Sequence, residues 1–205
     1  MRMFKFFGLA LIASAALVSC VGDDDTELPN YTPLILGQDF ENGAADNTIL
    51  DVTGWSNFVT AGAMRWKNQT YSGNNYAEFT GYQSGDATNI GWLISPAVNL
   101  DEQEGESLKF DVSQSYVTDA SNSLEVLIST DWDGTEANIN AATWTALPAS
   151  IPGTSATYFE FQDSGNIDLS TYTGTAHIAF KVTGGTAAAI DGGYQIDNVK
   201  ISYQN

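Results

Sequence analysis

Apolar and polar residues alternate along most of the chain beyond residue 34, which is the pattern of β-strands with one buried face. In SLKFDVS, for example, Leu108, Phe110 and Val112 alternate with polar residues, and SLEVLIS and HIAFKVT repeat this pattern. Turn-forming stretches such as SGNN, QSGD, DWDG, IPGTS and TGGT separate the alternating runs. No segment has a sustained apolar repeat of about 3.6 residues, so the pattern predicts an all-β fold, an antiparallel sandwich of two sheets.

The N-terminus has a different pattern. Arg2 and Lys5 flank the start of an apolar segment, residues 6–18, that has the length of a signal-peptide core and is short for a membrane span. The residues directly before Cys20, Leu17-Val18-Ser19, resemble the bacterial lipobox. The resemblance implies that the chain is cut before Cys20 and that this cysteine receives lipid. The alternative is an ordinary secretory signal with an incidental cysteine.

Three consecutive aspartates, residues 23–25, come soon after this cysteine. Such a run resembles the signal by which some Gram-negative bacteria export lipoproteins to the outer face of the outer membrane, and a solvated spacer is a compatible alternative. We therefore divide the chain into a signal peptide (1–19), a lipidated cysteine with a flexible acidic spacer (20–33) and one domain (34–205). The expected location is the cell surface, with the lipid as the only membrane attachment.

Charge narrows the range of partners. The chain has 25 acidic and 7 basic residues, and the signal peptide contains two of the basic ones, so the mature chain keeps 5 basic and 25 acidic residues, a formal charge of −20. This charge disfavours nucleic acid and anionic lipid headgroups and favours divalent cations. Because Cys20 is the only cysteine, no internal disulfide stabilises the domain.

Several segments together carry a resemblance to a known family. Six pieces follow one another in the order found in choice-of-anchor J domains, which are relatives of the cleaved-adhesin domains: GWLISPAVNL (91–100), SLKFDV, LEVLISTDWDG (124–134), Trp144, SGNIDLSTYTGTAHIAFKVTGG (164–185) and YQIDNVKI (194–201). The resemblance implies a jelly-roll sandwich similar to galactose-binding and carbohydrate-binding modules. It also implies attachment to a glycan or glycoprotein without catalysis, although this chain departs from the family in standing alone with an N-terminal anchor.

Two stretches are candidates for metal binding. In GQDFENG, strand alternation would turn Phe40 inward and place Asp39 and Glu41 on the opposite face. In YQIDNVKISY, the apolar alternation slips by one position at Asp197 and Asn198, which predicts a bulge or kink.

In jelly-roll modules of the kind that this chain resembles, the first and last strands lie close together and a calcium ion often joins them. The resemblance therefore assigns Glu41 and Asp197, with Asp39 beside them, as calcium ligands; calcium takes about six to eight oxygen ligands. The alternative is that Glu41 caps a turn and Asp197 forms an Asx turn. Asp131 and Asp133 have the spacing of an EF-hand pair, but the further ligands are missing, which favours a solvated turn.

Aromatic residues are candidates for sugar contacts, because a ring face can stack on a pyranose. Trp55, Trp66 and Trp92 lie in strand-like patterns and are expected in the core. Trp132 and Tyr82 lie in turn-rich sequence and are the expected exposed ligand contacts.

Catalytic signatures are weak. The only histidine, His177, lies on the polar phase of a strand, which predicts an exposed structural side chain, and the sequence has no G-x-S-x-G or H-E-x-x-H motif. We therefore expect a non-catalytic surface lipoprotein whose calcium-stabilised sandwich binds a glycan or glycoprotein for adhesion or nutrient capture. A structural or protein-docking subunit and a cryptic hydrolase are the alternatives.

Overall fold

The computed structural model describes residues 32–204, so Cys20 and the aspartates 23–25 lie outside the described residues. The described part consists of strands, loops and one short 3-10 turn, Glu136–Asn138. No helix in this part is long and apolar enough to cross a membrane. The strands are β1 (Leu34–Gln38), β2 (Thr48–Ile49), β3 (Ser56–Ala61), β4 (Lys67–Tyr71), β5 (Asn74–Thr80), β6 (Asn89–Ile94), β7 (Val98–Asn99), β8 (Glu104–Ser115), β9 (Ser123–Ser129), β10 (Thr145–Ala146), β11 (Gln162–Asp163), β12 (Ile167–Asp168), β13 (Thr175–Gly184) and β14 (Gly193–Gln204).

These strands form two antiparallel sheets, as the alternation predicts. The larger sheet has eight strands in the described residues, in the order β11-β8-β14-β5-β4-β2, with β1 also paired to β14 and β12 to β8. The smaller sheet has six, in the order β10-β9-β13-β6-β3, with β7 also paired to β13. The predicted all-β sandwich of two antiparallel sheets is confirmed.

The core lies between the two sheets. The alternating apolar residues of β8, β9 and β13 point into it, and Leu108, Phe110 and Phe180 are at most 1% exposed. Gly91 shows how closely the layers approach, since a Cβ built there would lie 2.0 Å from the Phe79 ring. A side chain at position 91 would force Phe79 out of its place, so the packing of the core requires glycine there.

Strand β14 contains the bulge that the sequence predicts. It pairs with β8 along its length, but the register shifts between Asp197 and Lys200, and Asn198 has a positive φ of 50°. Before the bulge, Gly193 to Ile196 pair with β5; after it, Val199 to Ser202 pair with β1. The bulge therefore lies where one edge of β14 changes partner, and the expected proximity of the first and last strands is confirmed.

The prediction for the segment after β1 is correct only in part. Phe40 is fully buried, as expected. The segment is not a strand, however, because β1 ends at Gln38 and Phe40 has a φ of 55°, in the left-handed region. Strand alternation thus gave the right orientation of Phe40 for the wrong reason: a tight turn, not a strand, inserts its ring into the core.

A second apolar cluster covers the outer face of the smaller sheet. The loop between β9 and β10 folds back so that Trp132 packs against Phe58 and Trp144, with ring centroids 6.4 and 5.9 Å apart, and Trp144 also contacts Trp92. Trp132 is only 6% exposed, and its indole Nε1 donates to the carbonyl of Thr135 at 3.0 Å. The prediction that Trp132 is an exposed ligand contact is wrong, because the loop returns to the sheet and buries the ring.

The prediction that Trp55, Trp66 and Trp92 lie in the core is correct for two of them. Trp66 is buried and Trp55 is half-buried between Phe40 and Phe180, both in the core between the sheets. Trp92 is also buried, but in the second cluster on the outer face of the smaller sheet.

Replacing Trp132 with alanine should therefore destabilise the protein by about 3–5 kcal/mol, the usual cost of removing a buried tryptophan. Urea unfolding measures this change. Tyr71→Ala is the matched control, because Tyr71 is 75% exposed and its loss should change stability by about 0.5 kcal/mol or less. Similar stability for the two variants would show that the Trp132 cluster does not contribute to the fold.

Candidate functional site

The outer face of the larger sheet carries a row of polar side chains. Residues that alternate with the core positions point outward, and the strand register places Lys67, Glu78, Gln195 and Ser113 opposite one another across β4, β5, β14 and β8. We call this row the polar ladder. It crosses the middle of the sheet, where side chains on neighbouring strands are close enough to interact.

Hydrogen bonds fix the ladder. The Ser113 hydroxyl donates to Gln195 Oε1 at 2.7 Å, and Gln195 Nε2 donates to Glu78 Oε2 at 2.9 Å and to Ser115 Oγ at 3.0 Å. Gln195 is fully buried, so these bonds satisfy a side chain that has no access to water. The arrangement holds Glu78 in place before any ligand binds.

Glu78 has an unusual electrostatic environment. Burial raises the pKa of its carboxyl group, while the hydrogen bond from Gln195 and the charge of Lys67 act in the opposite direction. Burial, together with the charge of Glu78, also raises the pKa of Tyr76 to about 12. The Tyr76 hydroxyl therefore stays protonated at physiological pH.

A groove runs over this face. One lobe, of about 580 Å³, is lined by Glu78, Tyr82, Tyr116, Phe159 and Asp191, among others. The second lobe, of about 760 Å³, lies beside it, and its lining includes Tyr71, Tyr76, Glu78, Tyr158, Phe159 and Phe161. Glu78 and Phe159 belong to both lobes, so the two are adjacent parts of one site, which we call the groove.

Exposed aromatic side chains surround the groove. Tyr71, Tyr82 and Tyr116 are more than half exposed, at 75, 60 and 59%, and Tyr158 and Phe159 are exposed as well. Tyr116 contacts Tyr158 and Phe159, with ring centroids 4.7 and 6.2 Å apart. Clustered exposed apolar surface of this kind marks interaction sites on soluble domains.

The backbone presents two of these rings in an uncommon conformation. Tyr116 and Phe159 have φ values of 57° and 60°, in the left-handed region that bulky residues rarely adopt. The backbone N–H of Phe159 donates to the carbonyl of Gln114 at 2.8 Å, and the Gln114 side chain donates to the carbonyl of Ala156 at 2.8 Å. The buried Gln114 thus ties the aromatic loop to β8, and backbone strain of this kind is typical of binding sites.

Next to the groove, two carboxylates face each other at the bulge. Asp197 lies opposite Asp111, accepts hydrogen bonds from Asn74 Nδ2 and from the backbone N–H of Asn198, at 3.0 and 2.7 Å, and is 4% exposed. Asn198 Nδ2 donates to Asp111 at 3.0 Å. Burial raises the pKa of Asp197, and the charges of Asp111 and Glu41 add to the shift.

The other two predicted calcium ligands lie in the loop after β1. Glu41 accepts hydrogen bonds from the backbone N–H and the side-chain amide of Asn75, both at 2.8 Å, and its charge reaches Asp197. Asp39 is exposed and accepts a hydrogen bond from the backbone N–H of Glu41 at 3.1 Å. The structure therefore brings Glu41 and Asp197 to one region, while Asp39 forms a local turn.

These contacts are also those of the alternative interpretation, in which Glu41 caps a turn and Asp197 bonds to the adjacent backbone. Within residues 32–204, no three or more histidine, cysteine, aspartate or glutamate side chains are grouped so as to hold a metal ion. The calcium assignment thus stays a prediction.

Three further predictions concern Tyr82, Asp133 and His177. Tyr82 is exposed and lines the groove. Asp133 lies in a solvated turn, as predicted, where it accepts a hydrogen bond from the backbone N–H of Thr135 at 2.9 Å. The prediction that His177 is exposed is correct only in part: its ring is half-buried because it packs edge-on against Trp132, at 4.8 Å between ring centroids.

Sequence reasoning missed most of the groove, namely Glu78, Tyr71, Tyr116, Tyr158 and Phe159. One signal was available for Glu78: in NNYAEFT it alternates with Ala77 and Phe79, which predicts an outward side chain. The aromatic loop gave no comparable signal, because its rings are positioned by left-handed residues and by Gln114 rather than by alternation.

Comparison with known proteins is informative about the fold. No protein-family model matches the sequence, and no curated protein is similar to it. Among solved structures, the K1 cleaved-adhesin domain of Lys-gingipain from Porphyromonas gingivalis W83 is similar, with a TM-score of 0.53 and 21% identity over 83% of this chain and 98% of that domain. The K3 domain of the same protein has a TM-score of 0.53 and 19% identity, over 85% of this chain and 100% of that domain.

A carbohydrate-binding module of the β-sandwich superfamily is more distant. Its TM-score is 0.48 and its identity 11%, over 80% of this chain and 60% of that one. The two Lys-gingipain domains show that the chain has a cleaved-adhesin-like fold, as its resemblance in sequence implies. The narrower resemblance to choice-of-anchor J domains stays a prediction.

Proposed function

We propose that the protein is a cell-surface binding protein whose groove holds a glycan chain, either free or on a glycoprotein. The observation that carries the proposal is the pair of adjacent lobes, lined by exposed aromatic rings and joined at Glu78 and Phe159. Two solved domains with the same fold are named adhesin domains, which agrees with a role in attachment.

The chemistry of the groove suits a sugar. Aromatic faces such as those of Tyr82 and Phe159 offer apolar contact to the C–H faces of a pyranose ring. Glu78, Gln69 and Asn74 line the lobes and provide hydrogen-bond acceptors and donors for hydroxyl groups. Since Gln195 holds Glu78 in place beforehand, binding costs less ordering of side chains.

The proposal includes no catalytic step. Glu78 is bonded to Gln195 in the ladder, and the groove around it provides surfaces for stacking and hydrogen bonding. A purely structural or protein-docking role is the second candidate, because exposed tyrosines also form the centres of protein interfaces.

We also propose that calcium binds beside the bulge, with Glu41 and Asp197 among its ligands. The support is the buried carboxylate of Asp197, which faces Asp111 and has no basic partner within hydrogen-bonding distance in residues 32–204. A cation there would offset the cost of burying like charges. Backbone and amide oxygens would have to complete the shell.

Finally, we propose that the groove is displayed on the outer membrane by lipid attached to Cys20. The support is the lipobox-like sequence and the acidic run that follows it.

The first prediction concerns the groove. A glycan array should give positive oligosaccharides, and Tyr71→Ala, Tyr82→Ala and Phe159→Ala should each weaken their binding by about fivefold, since a lost ring contact costs on the order of 1 kcal/mol. Calorimetry measures the affinities. Leu34→Ala is the control, because Leu34 is exposed on β1 and does not line the groove. An array without positive spots, or variants that all bind like the native protein, would contradict the proposal.

The second prediction concerns calcium. At 100 times its dissociation constant, calcium should stabilise the native protein by about 2.7 kcal/mol, and magnesium by much less. Asp197→Asn should lose this gain, whereas Asp133→Asn, in the solvated turn, should keep it. Melting temperatures in calcium, magnesium and chelator provide the measurement. Equal stabilisation by the two metals, or a full calcium response in Asp197→Asn, would show that no such site exists.

In chelator, the native protein should lose stability as the pH rises above the ordinary value of 3.8 and through the raised pKa of Asp197, because burial disfavours the ionised form in the folded state. Asp197→Asn should lack this part of the pH dependence, although it also loses one hydrogen-bond acceptor, since the two carboxylate oxygens accept from Asn74 and from the Asn198 backbone. Melting temperatures in chelator across this pH range provide the measurement, and an equal pH dependence in the two proteins would contradict the prediction.

The third prediction concerns the anchor. Cys20→Ser should abolish lipid attachment and move the protein from the detergent phase to the aqueous phase in a partition assay. Alanine in place of the aspartates 23–25 should keep the lipid but reduce cleavage by protease added to intact cells. A Cys20→Ser protein that still partitions into detergent would exclude this cysteine as the anchor.

A further inference from the structure

We infer that the groove accepts uncharged glycans and rejects acidic ones, and that Glu78 is the residue that makes this distinction. The inference rests on the proposed function, since it specifies the class of glycan that the same groove takes.

The charged groups that line the groove are all acidic. Glu78 belongs to both lobes, and Asp191 lines the smaller one. Among the residues that line either lobe in the described part of the chain, none is lysine, arginine or histidine. A carboxylate or sulfate on a bound glycan would therefore meet charges of its own sign and no positive side chain in the lining.

Few basic residues lie in the described part of the chain, residues 32–204, and none of them lines the groove. Lys109 and Lys181 form ion pairs with Asp163 and Glu125. Arg65 donates to the backbone carbonyl of Asn57 at 3.3 Å. The full set is Arg65, Lys67, Lys109, Lys181 and Lys200.

Lys67 is the basic residue that lies opposite Glu78 in the ladder. Its ammonium group donates to Asn47 Oδ1 at 2.9 Å, and it does not line either lobe. Its charge acts on Glu78 but leaves the lining with carboxylates alone.

The position of Glu78 makes its charge effective. Glu78 is partly buried at the junction of the lobes and is fixed by Gln195, so a chain that fills both lobes must pass over it. Repulsion between like charges is screened less in such a site than in open water. Asn74, which lines the larger lobe, donates to Asp197, so the carboxylates of Asp197 and of Asp111 opposite it add charge of the same sign nearby.

The same carboxylate favours neutral sugars. An ionised carboxylate only accepts hydrogen bonds, and sugar hydroxyls are donors that form strong charge-assisted bonds to it. Glu78 thus attracts hydroxyl groups and repels carboxylates or sulfates at the same point of the groove.

The test starts from an array that holds neutral oligosaccharides of glucan, mannan, xylan and galactan together with acidic oligosaccharides of alginate, polygalacturonate and hyaluronan. The neutral oligosaccharide that binds most tightly and has a primary hydroxyl is then compared with two derivatives. One is oxidised at C6 to a carboxylate, and the other is the methyl ester of that carboxylate. The ester carries the added bulk without the charge. Calorimetry at low and at high salt measures the affinity of the full-length protein for each of the three compounds.

We expect the carboxylate form to bind at least about tenfold more weakly than the parent and the ester to bind close to the parent. The difference should shrink at high salt, and it should shrink in Glu78→Gln, which keeps the acceptor for Gln195 but lacks the charge. Asp168→Asn, an exposed carboxylate on β12 outside the groove, should leave the difference unchanged.

The results distinguish a failure of charge selection from a failure of glycan binding itself. If no glycan binds, the proposed function itself fails. If glycans bind but the acidic ones bind as tightly as the neutral ones, or if the ester is rejected like the carboxylate, charge selection is overturned while glycan binding stands. If the carboxylate is rejected equally by the native protein and by Glu78→Gln, the role of Glu78 is overturned.

Discussion

Strand β14 has both edges paired and both faces occupied, and the rest of the domain is arranged around it. Its inner face places Tyr194 and Ile196 in the core, and its outer face places Gln195 in the polar ladder. The bulge at Asn198 lets one edge pair first with β5 and then with β1. The same strand therefore joins the first strand to the sheet, fills the core and holds the groove.

This arrangement links the position of the groove to the stability of the fold. Gln195 holds Glu78 by a hydrogen bond and is itself held by Ser113. It lies between Tyr194 and Ile196, whose side chains point into the core on the other face of the sheet. The polar ladder at the base of the groove is thus built on strands in the middle of a sheet, whereas the rings of Tyr82, Tyr116 and Phe159 lie in loops beside it. The strands keep the polar groups in position, while burial disfavours the charged forms of Glu78 and Asp197 and so lowers stability, a cost that is common at binding sites.

Sequence alone predicted the parts of this structure that depend on local periodicity. The alternation in β8, β9 and β13 predicted the sandwich, and the slipped phase at Asp197 predicted the bulge. Prediction from sequence failed where long-range packing determines the environment of a residue. Trp132 lies in turn-rich sequence but is buried, because the loop returns to the smaller sheet. Tyr82 was identified as a candidate from its turn, whereas the rings of Tyr116 and Phe159 depend on left-handed backbone that no alternation signals.

We propose that the ligand binds on the outer face of the larger sheet and on no other surface. NMR can locate the ligand, by mapping the shifts of backbone amides while an oligosaccharide that binds is titrated into the protein. Binding in the groove should shift amides in β5, in residues 193–197 of β14 and in the loops around Tyr82, Tyr116 and Phe159. Shifts confined to the loop around Trp132 on the opposite sheet, with the groove unperturbed, would contradict it.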